Sequence, residues 1–142
     1  MTEDRKRPAA WLIWFLRVVG AISQLAFVAA VMPESWIVEI SEELNLEPFP
    51  ETPIAFYLAR HLSLIYGFIG IALIVLSYQL NRYRELVGYL AIGIIIFGIL
   101  QGWIDFQSGM PIGWTALESI STVIGGLMMA WLHRNCDGYQ DG

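Results

Sequence analysis

Residues 86–104 read LVGYLAIGIIIFGILQGWI, nineteen positions without an Asp, Glu, Lys or Arg. As a helix rising about 1.5 Å per residue, the stretch is about 28 Å long, close to the roughly 30 Å hydrocarbon core of a bilayer. Gly88, Ala91, Ile95, Gly98 and Gly102 recur every three or four positions, and Asp105 continues the series. One side of this helix is therefore a seam of small residues. Small side chains let helix backbones approach closely in lipid, where the hydrophobic effect cannot drive association. The stretch predicts a transmembrane helix packed on another helix.

Three further apolar stretches, 9–32, 54–80 and 113–132, have comparable length. The chain has 142 residues, 56% apolar and only 15% charged, and its mean hydropathy is +0.56, well above an ordinary soluble domain. We expect a single integral membrane domain over 1–142. Its fold class is all-α, a membrane-spanning antiparallel four-helix bundle. Pro33, Pro48, Pro50 and Pro53 bracket the one sizeable connection, between spans one and two. Within it Trp36, Ile37, Ile40 and Leu44 recur at helical spacing opposite Glu39, Glu42 and Glu43. That pattern predicts a short extracytoplasmic amphipathic helix capping the bundle, with an acidic face unsuited to anionic lipid headgroups.

The net charge of −5 is unevenly placed. Glu34, Glu39, Glu42, Glu43, Glu47 and Glu51 lie in the first connection without a Lys or Arg among them. The basic residues Arg5, Lys6 and Arg7, then Arg82 and Arg84, then Arg134 fall on the other side of a four-span topology. The positive-inside rule puts both termini and the 81–85 turn in the cytoplasm, in a cell (inner) membrane. The acidic connection and the 105–112 turn face outward. Trp11, Trp14, Tyr83, Tyr89 and Trp131 form an inner aromatic belt, and Trp36, Phe49, Tyr57, Trp103, Phe106 and Trp114 an outer one. The first span is expected to persist rather than be cleaved: it is longer than a signal-peptide core, Arg17 interrupts it, and no small-x-small site precedes Pro33.

Stripes of small residues mark the interior faces. They run through Arg17, Gly20, Gln24 and Val28 in span one, and Arg60, Ser63, Gly67, Gly70, Ile74 and Ser77 in span two. In span four the corresponding stripe is Glu118, Ser121, Gly125 and Met128. Charged residues continue these stripes and so face protein. Arg60 and Glu118 lie within roughly 10 Å of the outer boundary, at the level of Gln24, Gln101 and Asp105. An ionised side chain deep in a span costs roughly 2.5–3.5 kcal/mol, so Arg60 is expected to pair with Asp105 or Glu118. Gln24, Arg60, Gln101, Asp105, Trp114 and Glu118 are the candidate ligand-binding residues. Such a cluster either locks the bundle in register or holds a ligand. His61 is expected to anchor at the interface and His133 to be solvated in the inner tail. Arg17 is expected to snorkel inward, to meet Tyr78 or Tyr89, or to hold an anionic head.

Several chemistries are excluded. Cys136 is the sole cysteine, so the chain has no disulfide framework, redox pair or zinc cluster. There is no HExxH, GxSxG, Walker or GxGxxG motif, and no metal, cofactor or nucleophilic catalytic residue is expected. Nucleic acid is not an expected partner, because no basic surface exists beyond the first seven residues.

The set Ala59-Arg60, Tyr66-Gly67, Arg82-Tyr83-Arg84 and Asp105-x3-Gly109-Met110-Pro111-x2-Trp114-x3-Glu118 resembles small four-span bacterial integral membrane proteins of unknown function. The likeness runs from span two to span four, and its Asp–Gly–Met–Pro–Trp–Glu run is the most specific part. It implies the four-span fold and the polar residues without implying an activity. The expected partners are the lipid bilayer and either a lipid-like apolar ligand or another membrane protein. The expected role is a non-enzymatic bundle that binds such a ligand or serves as a subunit of a membrane complex. The alternative is a small membrane enzyme with Glu118 or Asp105 as general acid or base on an apolar substrate.

Overall fold

The computed structural model describes residues 6–46 and 48–137; Arg5 and Glu47, counted above among the topology-setting charges, lie outside the described residues. The elements are α1 (Lys6–Gln24), α2 (Ala26–Val31), α3 (Glu34–Glu43), α4 (Pro53–Tyr78), α5 (Arg84–Gln107) and α6 (Ile112–Asp137). The fold class is an all-α helical bundle, with no strand among the described residues. Four stretches are long and apolar enough to cross a membrane: Ala9–Val31, Pro53–Tyr78, Arg84–Gln107 and Ile112–Cys136. This is the pattern of a multi-pass membrane protein. The last is the least apolar, with a mean hydropathy of 1.3 against 1.9–2.0 for the others, because Thr115, Glu118, Ser119, Ser121 and Thr122 fall in it.

The first span is interrupted at Leu25. There Leu25 N–H donates to the Ile22 carbonyl and Val28 N–H to the Leu25 carbonyl, each at 3.0 Å. These bonds close over three residues instead of four, a local 3₁₀ tightening. The chain divides into two compact units, Leu16–Val75 and the pairing of Met1–Phe15 with Leu76–Gly142.

In Leu16–Val75 the second half of the first span runs antiparallel to α4. A Cβ added to Gly20 would lie 2.7 Å from the Gly70 carbonyl oxygen, and one on Gly70 would lie 2.6 Å from that of Gly20. The two backbones touch here. One turn closer to the start of α4, the Phe27 ring lies against Gly67 and meets Phe68 edge-on at 5.4 Å. The span-two stripe is as expected, with Gly67, Gly70 and Ser77 buried and Arg60, Ser63 and Ile74 half-buried. The span-one stripe is corrected. Arg17 and Val28 are exposed, while Leu12, Leu16, Gly20 and Ala30 are buried. Two sets of residues at helical spacing overlap in span one, and bulk decides: burying Leu12 and Leu16 removes more apolar surface than burying Val28 alone.

The acidic connection forms α3 as expected, but turned over. Trp36, Ile40 and Leu44 are 57%, 43% and 50% exposed, whereas Ile37 and Val38 are half-buried and Ser41 is buried. The expected capping face thus points outward. α3 ends in a Schellman turn: Leu46 N–H donates to the Ser41 carbonyl (3.1 Å) and Asn45 N–H to the Glu42 carbonyl (3.0 Å), with Asn45 at φ 52°.

In the other unit α5 and α6 form an antiparallel hairpin. Gly88 lies against His133, Gly98 against Val123, Gly102 against Ser119, and Gly126 against Ile95 and the Ala91 carbonyl. Each step of three or four residues along α5 is matched by an equal step back along α6. The α5 stripe is as expected. The α6 stripe is rotated by about 100°, one residue: the packed face carries Thr115, Ser119, Thr122, Gly126 and Met129, while Ser121 and Met128 are exposed. Neighbouring Gly125 and Gly126, and nearby Ser119 and Ser121, offer two candidate stripes in the sequence. Ser119 decides between them, because its hydroxyl donates to the Gly98 carbonyl at 2.7 Å. His133, expected to be solvated, is half-buried, with Nε2 at 3.0 Å from the Arg84 carbonyl oxygen. Gly88 leaves the room that its ring occupies.

Candidate functional site

The turn between α5 and α6 sets the geometry of that end of the hairpin. α5 closes in a second Schellman motif, with Met110 N–H donating to the Asp105 carbonyl (3.1 Å) and Gly109 N–H to the Phe106 carbonyl (3.4 Å). Gly109 sits at φ 74°, where a side chain is strained. Pro111 then precedes α6, and Thr115 N–H donates back to its carbonyl (3.1 Å). The Asp-x3-Gly-Met-Pro run is thereby a helix stop and restart. It brings the last turn of α5 face to face with the first turn of α6.

Three of the residues brought to this end hold a buried polar atom without a hydrogen-bond partner: Gln101 Oε1, Asp105 Oδ2 and Thr115 Oγ1. Gln101 and Asp105 are four residues apart on α5, so their Cβ atoms are about 5–6 Å apart on one face. Asp105 continues the Gly98–Gly102 seam as Thr115 continues the Thr122–Ser119 seam, so the matched steps put Asp105 and Thr115 at one level. Trp114 and Glu118 flank Thr115 on α6, both half-buried. The Glu118 main-chain carbonyl accepts from the Ser121 and Thr122 hydroxyls, and its carboxylate takes part in no ion pair among the described residues.

The remaining candidates lie in the Leu16–Val75 unit, and they are not together. Gln24 packs where α1 crosses Gly70, since its backbone nitrogen is 3.1 Å from a Cβ placed there. Arg60 lies ten residues nearer the start of α4, about 15 Å along the helix axis. The carboxylate that Arg60 meets is Glu34, at the start of α3: Nη1 is 3.5 Å from Glu34 Oε1, and Nη2 donates to the Met32 carbonyl at 3.4 Å. This pairing differs from the expected one with Asp105 or Glu118. Pro33 ends the first span and starts α3, which puts Glu34 within reach of the arginine. A cleft of about 420 Å³ opens beside the pair, lined by Glu34, Glu39, Glu42, Glu51, Val38 and Phe56. His61, expected to anchor at the interface, is exposed and stacks on Tyr57, with ring centroids 4.3 Å apart.

Thr115 and Glu34 were not legible as site residues. For Thr115 a signal existed, since it lies four residues before Ser119 and seven before Thr122. Glu34 carried only its place after Pro33. Comparison of the chain with protein-family models, with curated proteins and with solved structures found no match.

Proposed function

We propose that this is a cell-membrane protein with both ends in the cytoplasm, binding a lipid-like amphiphile whose polar head meets Gln101, Asp105 and Thr115. One observation supports the reading above all. Three buried oxygens at one end of a helix hairpin lack hydrogen-bond partners, and each such buried group costs about 1–3 kcal/mol unless something supplies the missing bond. Trp114 and the outward-facing apolar sides of α5 and α6 would border the ligand's apolar part. Arg60, matched by Glu34, is assigned to holding α3 in place. Gln24 is assigned to helix packing.

A second reading, a small membrane enzyme, draws on Glu118, whose half-buried carboxylate stands next to the same site without an ion-pair partner. There it would serve as general acid or base toward a bound apolar substrate.

The deciding measurement is native mass spectrometry of gently extracted protein. Wild type should carry a bound amphiphile, and Asp105→Asn should lose it while remaining folded. Glu118→Gln should keep the ligand under the binding reading, and should accumulate unreacted substrate under the enzymatic one. Absence of any bound molecule from wild type overturns both. For topology, Ser41 and Cys136 are poor reporters, because both are buried. In a Cys136→Ser background, Glu43→Cys should react with an impermeant thiol reagent in intact cells. Asn135→Cys should react only after the inner face is opened; labelling of both from one side overturns the orientation.

A further inference from the structure

The chemistry of the three orphaned oxygens narrows what occupies the end of the α5/α6 hairpin. This step rests on the binding site proposed above, and goes on to the charge of its occupant. Asp105 Oδ2 is an acceptor when the carboxylate is ionised, Gln101 Oε1 is an amide acceptor, and Thr115 Oγ1 has lone pairs to offer. A neutral hydroxyl brings one donor and a water molecule two. A primary ammonium brings three N–H donors and one positive charge, and a sodium ion takes oxygen ligands of these kinds.

Charge leads to the same class. Asp105 brings one formal negative charge, and no ion pair among the described residues involves it. The basic side chain that could have met it, Arg60, is engaged by Glu34 and the Met32 carbonyl. No group of three His, Cys, Asp or Glu side chains placed to hold a metal ion occurs among the described residues, and a single carboxylate balances one positive charge rather than two. The negative carboxyl end of α5 and the positive amino end of α6 meet at this turn and largely offset each other, leaving the Asp105 charge to set the local field.

We propose that Gln101, Asp105 and Thr115 bind a monovalent cationic group, either the ammonium head of an amine-bearing lipid or a sodium ion. Asp105 supplies the charge, and Gln101 and Thr115 supply the neutral oxygens that give it direction.

The test uses the full-length protein in phosphatidylglycerol nanodiscs, whose lipid bears no ammonium. Replacing tetraethylammonium chloride, whose quaternary cation has no N–H to donate, by sodium chloride at equal concentration should raise the melting temperature by about 3 °C or more if the group is sodium. Adding phosphatidylethanolamine at fixed tetraethylammonium chloride should do so if the group is a lipid ammonium. Asp105→Asn should abolish whichever response wild type shows, and Thr115→Val should weaken it by several-fold in concentration. Gln101→Glu, which adds a second charge, should shift the response to lower concentration. The inference is overturned if wild type responds to neither cation. It is also overturned if Asp105→Asn responds as wild type does, which would mean that the cation acts elsewhere than on Asp105. A sodium response without any retained lipid keeps this inference and removes the lipid-binding reading. A lipid that wild type retains and Asp105→Asn loses, with no cation response, does the reverse.

Discussion

The two helix pairs use glycine in opposite ways. Where α1 crosses α4, Gly20 and Gly70 meet reciprocally, each carbonyl oxygen standing where the other's Cβ would be. Between α5 and α6 the contact is spread along the hairpin, and each glycine is filled by a partner's side chain: His133, Val123, Ser119 and Ile95 in turn. A crossing at one point leaves the ends of a helix pair free to diverge. The end of the first pair near the start of α4 is accordingly tied by a ring contact at Phe27 and by the reach of Arg60 to Met32 and Glu34. A zipper matches its helices step by step toward the turn that joins them. That is why the hairpin, rather than the crossing, can bring a carboxylate, an amide and a hydroxyl to its buried end.

The largest effect should come from breaking the crossing. Gly20→Leu sets a side chain against a backbone oxygen that cannot move aside, and overpacking of this kind costs about 3 kcal/mol or prevents folding. Thermal melting in detergent should show it as the least stable of the variants compared here. In the zipper the matched pair Gly126→Ala and Gly125→Ala is more informative. A Cβ on Gly126 meets Ile95 at 2.7 Å and its backbone nitrogen at 3.0 Å, whereas one on Gly125 meets nothing within 4 Å. Gly126→Ala should lose about 1–3 kcal/mol, and Gly125→Ala should be neutral or gain up to about 1 kcal/mol from helix propensity. A loss at Gly125→Ala with none at Gly126→Ala would mean that α6 is packed on the face first read from its sequence.

A smaller effect belongs to the hydrogen bond that joins the zipper. Ser119→Ala removes the donor to Gly98, and interhelical bonds of this sort in membranes are worth about 0.6 kcal/mol on average. Its melting temperature should fall measurably, while Ser121→Ala, on the exposed side, should leave it unchanged. Smallest of all is the tie of the crossing pair. The side chains of Arg60 and Glu34 are 38% and 55% exposed, so their ion pair contributes about 0.2–1 kcal/mol. Arg60→Ala and Glu34→Ala should each cost little, and the double variant should cost less than their sum. Additive losses would show that the two charges do not meet.

The hairpin's own logic was partly legible. The α5 seam from Gly88 to Asp105 is legible because small residues recur along it at nearly every step, whereas the other faces are mostly Ile, Leu, Phe, Tyr or Trp, with Gly93 alone among them. The α6 seam was not, since Gly125 and Gly126 are consecutive and either could meet a partner. Arg60 shows the same limit for charge. Its need for a carboxylate follows from its depth in span two, but several carboxylates satisfy that need on paper. The chain's turn at Pro33, invisible to helical spacing, selected Glu34.

The sequence by itself determined that this protein is four long apolar helices with a short acidic one between the first two. Apolar length and period are properties of a single segment, and lipid leaves a backbone of that length no alternative to the helix. Only the tertiary structure decided which face of α6 meets α5, which way α3 turns, which carboxylate answers Arg60, and that Thr115 joins Gln101 and Asp105. Each of these is a rotation or a register between two segments. Its energy lies in contacts such as the Ser119 hydroxyl on the Gly98 carbonyl, which exist only once both helices are in place.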